Sequence, residues 1–377
     1  MLADLVDHVI GIDPDRDWIT AAVLDAKTTG VIATAKFAAN NDGYDEAVEW
    51  ADIHTTAGDR SWVVEGSGSY GRGLSAALSR VGEWVIEFDR PHQRPTKDGA
   101  KTDELDAVRA AREALGRPRL HTPRTHDGHR EALRVHTVTR DGVVRERTAA
   151  INELKALVLT SPDGLRSELR GLTTTVLIKR CAAFRTTARR PIAEQCVRNT
   201  MRVVARRVQH FNDEIEVHDA AMKQLVDDTA PQLVAEPGVG YVTAAMFIIA
   251  WSHPGRCRSE AAYARLAGVA PLPANSGQSQ DRHRLNRYGD RKLNRACHMV
   301  ALVRMHHHEP TKAYIARRRA EGKTDREIRR CLKRYIARNV WRLLEHQNPK
   351  SLLDRHRRIG QGRRHGATVR PKLSAAV

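Results

Sequence analysis

The stretch HVIGIDPDRDWITAAVLDAKTTGVIATAKFAA, residues 8–39, holds three apolar runs cut by two short polar breaks. The runs are HVIGID (8–13), WITAAVLD (18–25) and VIATAKFAA (31–39), rich in β-branched residues. Such runs, separated by Asp-, Pro- and Gly-containing turns, predict three strands joined as consecutive hairpins. Past residue 40 the pattern changes. GYDEAVEWADIH reads as a helix, SWVVE (61–65) as a strand, and GRGLSAALSRV as a second helix. EWVIEFD (83–89) reads as a fifth strand, followed by a helix from about Thr102 to Leu115.

Three hairpin-linked strands followed by alternating helices and strands differ from the fully alternating order of a nucleotide-binding doubly wound sheet. They match the order of the ribonuclease-H-like α/β fold. There the ends of the first and fourth strands are neighbours, and the last helix lies across them. Asp13 ends the first strand, Glu65 ends the fourth, and Asp103 and Asp106 sit three apart on one face of that helix. Carboxylates brought together repel unless they bind a cation, and hard oxygen donors suit Mg²⁺ or Mn²⁺. Hard cations bridging a phosphate are a recurrent means of cutting phosphodiesters. Taken singly, each acid has a plainer reading. Asp103 and Asp106 suit the positive end of a helix dipole, and Asp13 before Pro14 suits a turn. Beside them, Gly66, Gly68 and Gly71 in EGSGSYGRG have dinucleotide-fingerprint spacing. Glu65, however, would face the pyrophosphate, and no Lys-Ser/Thr follows for a Walker loop, so neither nucleotide site is favoured.

Charge narrows the partner. The chain carries a formal +18, but residues 1–110 hold 11 Lys and Arg against 20 Asp and Glu, a net of −9. The remaining 267 residues are +27, which points to a polyanion bound mainly by the later part of the chain. No apolar run approaches the roughly 20 residues of a membrane span. The acidic start, running straight into a strand, does not read as a signal peptide. Five scattered cysteines without a CxxC pair suggest neither a disulfide framework nor a zinc ribbon, and a reducing cytoplasm is the expected compartment.

After the α/β region (1–127), residues 128–228 read as a helical, coiled-coil-like region. Val197, Met201, Val204, Val208, Phe211, Ile215, His218, Met222 and Leu225 recur at spacings of four and three. This seam suits either packing within a helical hairpin or a coiled coil between two chains. An earlier helix carrying Val144, Ile151, Leu154 and Val158 stops near Pro162. Residues 229–346 read as a compact, mainly helical domain opened by EPGVGYVTAAMFIIA, in which Gly238 and Gly240 suggest a helix-hairpin-helix phosphate cradle. ARRRAEGKTDREIRRCLKRYIARNVWRLL predicts two amphipathic basic helices with Ile328, Leu332, Tyr335 and Ile336 inward. MHHHEP (305–310) has no i,i+4 ligand pair and reads as a surface cluster. Residues 347–377 read as a basic tail.

PANSGQSQDRHRLNRYGDRKLNR (273–295) sets an uncharged loop against Arg282, Arg284, Arg287, Arg291, Lys292 and Arg295. Such a block suits phosphate contact, as does Lys101 ahead of the acidic helix. A hydroxyl becomes a useful nucleophile only when deprotonated or paired with a metal, and arginines stabilise the charge that develops at an attacked phosphate. Ser276 and Ser279 both qualify, and Ser276, followed by glycine, is preferred. Without further context an ordinary loop serine would serve as well.

Six segments in order now resemble one family. GIDPDRDWITAAVLD, VVEGSGSYG and AKTDELDAVRAA are similar to the RuvC-like domain of the insertion-sequence transposases of the "IS one-ten" type, the DEDD family of bridge-RNA-guided recombinases. EPGVGYVTAAMFIIAW, YARLAGVAPLPANSGQSQ and HRLNRYGDRKLNRACHMVAL resemble that family's C-terminal transposase domain. The resemblance implies that Asp13, Glu65, Asp103 and Asp106 form the DEDD quartet holding Mg²⁺ (or Mn²⁺). It implies that Ser276 attacks the scissile phosphate, giving a covalent phosphoserine link. It also implies DNA as donor and target, a structured guide RNA, and a homo-oligomer, dimer or tetramer, in which the quartet and the serine come from different domains. Other readings stay open. They are a resolvase-type endonuclease whose acids do all the chemistry, a non-catalytic nucleic-acid scaffold, and a tyrosine recombinase using Tyr314 or Tyr335.

Overall fold

The computed structural model describes residues 1–88, 102–117, 120–124, 128–185, 190–273, 283–285 and 289–345. They fall into two compact units. The first comprises the described residues of 1–126 with 251–259 and 344–345, and the second those of 127–250 and 260–343.

The first unit is built on a five-stranded mixed sheet of β1 (His8–Pro14), β2 (Trp18–Asp25), β3 (Val31–Ala38), β4 (Arg60–Glu65) and β5 (Val85–Phe88). The spatial order is β3-β2-β1-β4-β5; the first three are antiparallel neighbours, while β4 runs parallel to β1 and β5 parallel to β4. Helices cover both faces, so the central strands are buried on both sides and read as continuous apolar runs. Ile10, Ile12, Ile19, Trp62 and Val64 pack under α1 (Asn41–His54) and α2 (Arg72–Arg80). Val9, Ala22, Leu24, Val63, Ile86 and Phe88 pack under α3 (Asp103–Gly116). Side chains fix two of the helix starts. Asn40 accepts from the Gly43 amide at 2.9 Å, and the Thr102 hydroxyl accepts from the Leu105 amide at 3.3 Å. The mixed sheet followed by helices fits a ribonuclease-H-like DEDD domain.

The fifth strand is shorter than EWVIEFD predicts, because Glu83 is used elsewhere. Its carboxylate is buried against Arg60, at 2.8 Å from Nη2 and 3.1 Å from Nε, and accepts from the Trp62 indole at 2.9 Å. Asp52 holds the other guanidinium nitrogen at 2.8 Å. Burial works against the Arg60 charge, but Glu83 and Asp52 more than offset it and raise its pKa above the ordinary arginine value.

The second unit is helical. α4 (Gly128–Thr160) and α7 (Ile192–Thr229) form an antiparallel hairpin, capped by α5 (Asp163–Leu169) and α6 (Thr174–Ala182). The predicted seam is used inside the chain: Met201, Val204 and Val208 pack with Leu154, Val158 and Leu177. Polar pairs run down the same interface. Arg140 meets Asp219 at 2.5 Å, the Nδ1 atoms of His136 and His218 lie 3.0 Å apart, and Arg147 donates to Asn212 at 3.1 Å. Glu168 of α5 ties the cap together, bonding Arg180 of α6 at 2.7 Å and Arg198 of α7 at 3.2 Å.

Beyond it come α8 (Tyr241–Trp251), α9 (Glu260–Leu266), a two-stranded ribbon of β6 (Pro271–Pro273) and β7 (His283–Leu285), α10 (Arg291–His307), α11 (Glu309–Ala320) and α12 (Asp325–Glu345). Ile328, Leu332 and Ile336 of α12 are buried as the periodicity predicts. Tyr335 is not: it is 53% exposed and meets Tyr314 edge-on, ring centroids 6.0 Å apart. An amphipathic phenol keeps its hydroxyl wet at the border of the apolar stripe, which periodicity alone does not distinguish from the core. No described helix is long and apolar enough to cross a membrane.

Candidate active site

Strand register decides where the acids stand. β1 and β2 pair Asp13 with Thr20, and β2 and β3 pair Thr20 with Lys36. β1 and β4 pair Ile12 with Val64, which brings Asp13 and Glu65 together one residue further on. Glu65 in turn pairs with Phe88 of β5. Directly opposite residues project to the same face of a sheet, and side chains alternate along each strand. Phe88, Glu65, Asp13, Thr20 and Lys36 therefore form one row across all five strands. It lies on the face that α3 covers, since Ala22 and Val63, two residues along their strands, and Val9, four along β1, pack there.

Glycine sets the height of α3 over this row. A Cβ on Gly11 would lie 2.0 Å from the Ala107 carbonyl oxygen, so the helix backbone rests directly on β1. Ala107, Ala110, Ala111 and Ala114 make its contact face small enough for that approach. Asp103 stands one turn N-terminal to Ala107, and its carboxylate meets Lys36 Nζ at 3.6 Å, which anchors the helix start to the row. Asp106 pairs with Arg109 of its own helix at 2.9 Å. Gly71 plays a comparable part in the loop after β4. A Cβ there would meet Val64 Cγ1 at 2.5 Å and the Glu65 carbonyl at 2.9 Å, so Gly71 serves close packing against the end of the acidic strand.

The structure thus brings Asp13 and Glu65 to neighbouring strand ends and sets Asp103 over the lysine end of the same row. The donor set is all hard oxygen and suits Mg²⁺ or Mn²⁺ in type. Among the described residues, however, no three His, Cys, Asp or Glu side chains converge closely enough to hold a metal ion. The observed carboxylate partners, Lys36 and Arg109, explain part of that spread. Lys36 was not singled out in the sequence, although counting pairs through the two hairpins places it opposite Thr20 and hence in line with Asp13.

In the second unit, Ser276, Arg282 and Arg287 lie outside the described residues, as does Lys101 in the first, and of Arg284 only the backbone in β7 is described. What surrounds them is well tied. A Cβ on Gly289 would fall 2.3 Å from the Gly268 amide nitrogen, the Asp290 amide donates to the Leu266 carbonyl at 2.7 Å, and the Asn294 amide group to that of Ala267 at 2.7 Å. Asp290 caps α10 through the amides of Lys292 and Leu293. Two of the predicted phosphate contacts are already paired: Asp141 of α4 holds Lys292 at 3.0 Å and Arg295 at 3.4 Å. Arg291 is exposed beside them.

Gly238 adopts a left-handed φ of 77° and leaves room for Val303, whose Cγ1 would lie 3.2 Å from an added Cβ. The Gly240 amide donates to Thr243 Oγ1 at 3.0 Å. This turn therefore has a packing role before any phosphate role. The histidine cluster also has ordinary partners, with His308 Nδ1 2.8 Å from Thr311 Oγ1. Burial, followed by Cys331 and Tyr335, pushes the Tyr314 phenol up to about 12, which works against a tyrosinate nucleophile.

Comparison with known proteins bears on both units. A family model of DEDD transposases of IS110 type matches residues 10–161, and a second, described as the transposase IS116/IS110/IS902 family, matches residues 231–316. The transposase for insertion sequence element IS1328 of Yersinia enterocolitica is 28% identical over 239 residues, 62% of this chain and 67% of the relative. The uncharacterized 42 kDa protein of insertion element IS900 of Mycobacterium paratuberculosis is 29% identical over 333 residues, 76% of this chain and 83% of the relative. A 43.6 kDa protein of insertion element IS110 of Streptomyces coelicolor is 35% identical over 95 residues, a quarter of either chain. With an acidic row across a ribonuclease-H-like sheet and two family models that match in sequence order, the chain belongs to the IS110 family of insertion-sequence transposases, enzymes that cleave and transfer DNA strands.

Proposed function

We propose that this transposase cuts DNA with two separate sets of groups, the acidic row of the first unit and Ser276 of the second. The observation that carries the reading is the alignment of Glu65, Asp13 and Lys36 across the sheet with Asp103 over the lysine end. Asp13, Glu65, Asp103 and Asp106 would hold Mg²⁺ (or Mn²⁺), which when bound supplies charge neutralisation and polarisation at a phosphodiester. The Ser276 hydroxyl gives its proton to solvent water and its oxygen attacks phosphorus. A new P–O bond forms to serine, and the bond to the departing strand breaks, its oxygen taking a proton. Arg282, Arg284, Arg287 and Arg291 would balance the negative charge that develops at the phosphate. Lys292, Arg295, Lys101 and the amides around Gly238 and Gly240 would hold the backbone on either side.

The finer parts rest on the family resemblance. They are a structured guide RNA that selects donor and target, and a homo-oligomer that joins one protomer's acids to another's serine. The division at residues 127, 228 and 346 into RuvC-like domain, helical region, transposase domain and basic tail is proposed as the functional one.

A denaturing gel with end-labelled donor DNA tests the chemistry. Asp103→Asn is expected to block cleavage, and Ser276→Ala to abolish a covalent protein–DNA adduct. Cleavage that survives Ser276→Ala would replace the serine mechanism by a resolvase-type one, in which the acids do all the work.

A further inference from the structure

Trp18 stands next to the acidic row with much of its indole in water. It opens β2 and lies two residues along from Thr20, on the same face as Asp13, Lys36 and α3. The tight turn before it is closed by the Asp15 amide donating to the Trp18 carbonyl at 2.8 Å, so its backbone is fixed where β1 ends in Asp13 and Pro14. The residue is 49% exposed, whereas Trp62 in the same sheet is fully buried. Lys36 Nζ lies 5.8 Å from the Trp18 ring centroid and 3.6 Å from Asp103 Oδ2, so one ammonium group joins the indole to the acidic row.

A single exposed aromatic is ordinary on a protein surface. This one differs in its neighbours. The first 110 residues are net −9, so a polyanion approaching the acidic strand ends needs a local cation. Lys27 pairs with Asp7 at the other end of the sheet, and Arg60 is buried there. Lys36 is the cation in the row itself. A base stacks on an indole regardless of its identity, and a lysine beside it suits the adjoining phosphate.

We infer that Trp18 and Lys36 form a shelf for one unpaired nucleotide of the DNA strand beside the scissile phosphate. The base lies on the indole, and the ammonium is shared between the phosphate and Asp103. This rests on the acidic row being the site of cleavage. An unpaired base is required because a duplex keeps its base faces within the stack, away from an indole on the protein surface.

The test is photocrosslinking of the full-length protein in EDTA, so that no strand is cut, to single-stranded DNA carrying 5-iododeoxyuridine. The adduct should map to Trp18 in the tryptic peptide Asp17–Lys27, and Lys36→Met should lower its yield several-fold. Single-strand affinity should fall about ten-fold in Trp18→Ala and stay within about three-fold in Trp18→Phe, which keeps a ring. Adducts confined to residues beyond 127 would overturn the shelf. So would equal losses in Trp18→Phe and Trp18→Ala, equal labelling of a blunt duplex, or labelling by single-stranded RNA alone. Because no cleavage is needed, failure of the shelf and failure of the acidic-row chemistry give separate results.

Discussion

Gly11 and Lys36 set the geometry at the scale of single residues. The Gly11 position admits no side chain, because a Cβ there would lie 2.0 Å from a helix carbonyl. Gly11→Ala should lift α3 from the sheet and carry Asp103 and Asp106 with it. Overpacking of this kind typically costs about 1–3 kcal/mol, and backbone yields less readily than a side-chain end, so a loss at the upper end is expected in urea unfolding. Cleavage should fall further than stability does, because the acids move with the helix. The candidate residues were legible to different degrees for physical reasons. Asp13, Glu65, Asp103 and Asp106 could be named because strand ends and helix starts follow from local pattern. Lys36 follows only once register is counted, and Asp141, which holds Lys292 and Arg295, meets them across 151 and 154 positions of chain that no local pattern reports.

At the scale of elements, the two units are held by different chemistry. The sheet carries a buried pair, Arg60 with Glu83, braced by Asp52 and Trp62. Removing one partner leaves the other charge buried, so Glu83→Ala should lower stability by about 3–5 kcal/mol in thermal or urea unfolding. In the helical unit, Glu168 links three helices through Arg180 and Arg198. The Arg180 hydrogen bond, opposed by burial and aided by Arg198, holds the Glu168 carboxyl below its ordinary value of 4.5. A carboxylate with a depressed folded-state pKa contributes stability that is present above the unfolded value and lost as pH falls through the folded one. Glu168→Gln should therefore flatten the acid side of the stability profile below about pH 4.5 and leave its shape near neutrality unchanged. All five strands and the helices around them were readable from the sequence, because hairpin breaks and helical periodicity are local. The use of the α7 seam was not, since a 4,3 repeat buries itself equally well against α4 or against a second chain. The exposed Tyr335 is the other exception, a boundary residue with one apolar and one polar end.

At the scale of the whole molecule, charge separates the tasks: a net of −9 over residues 1–110 and +27 over the rest. DNA affinity should fall steeply with salt, each neutralised phosphate contributing a slope of about −0.9 in log K against log salt. Asp141→Asn should free Lys292 and Arg295, tighten DNA binding at low salt and steepen that slope by up to about two contacts. An unchanged slope would mean that neither cation reaches a phosphate. The central claim is that the cut requires the acidic row and its metal, and strand cleavage by the full-length protein measured as Mg²⁺ is added tests it most directly. Wild-type protein should nick or break donor DNA in proportion to added Mg²⁺, and Asp13→Asn should remove that response while leaving DNA binding in EDTA intact. Cleavage by Asp13→Asn at the wild-type rate would contradict the account.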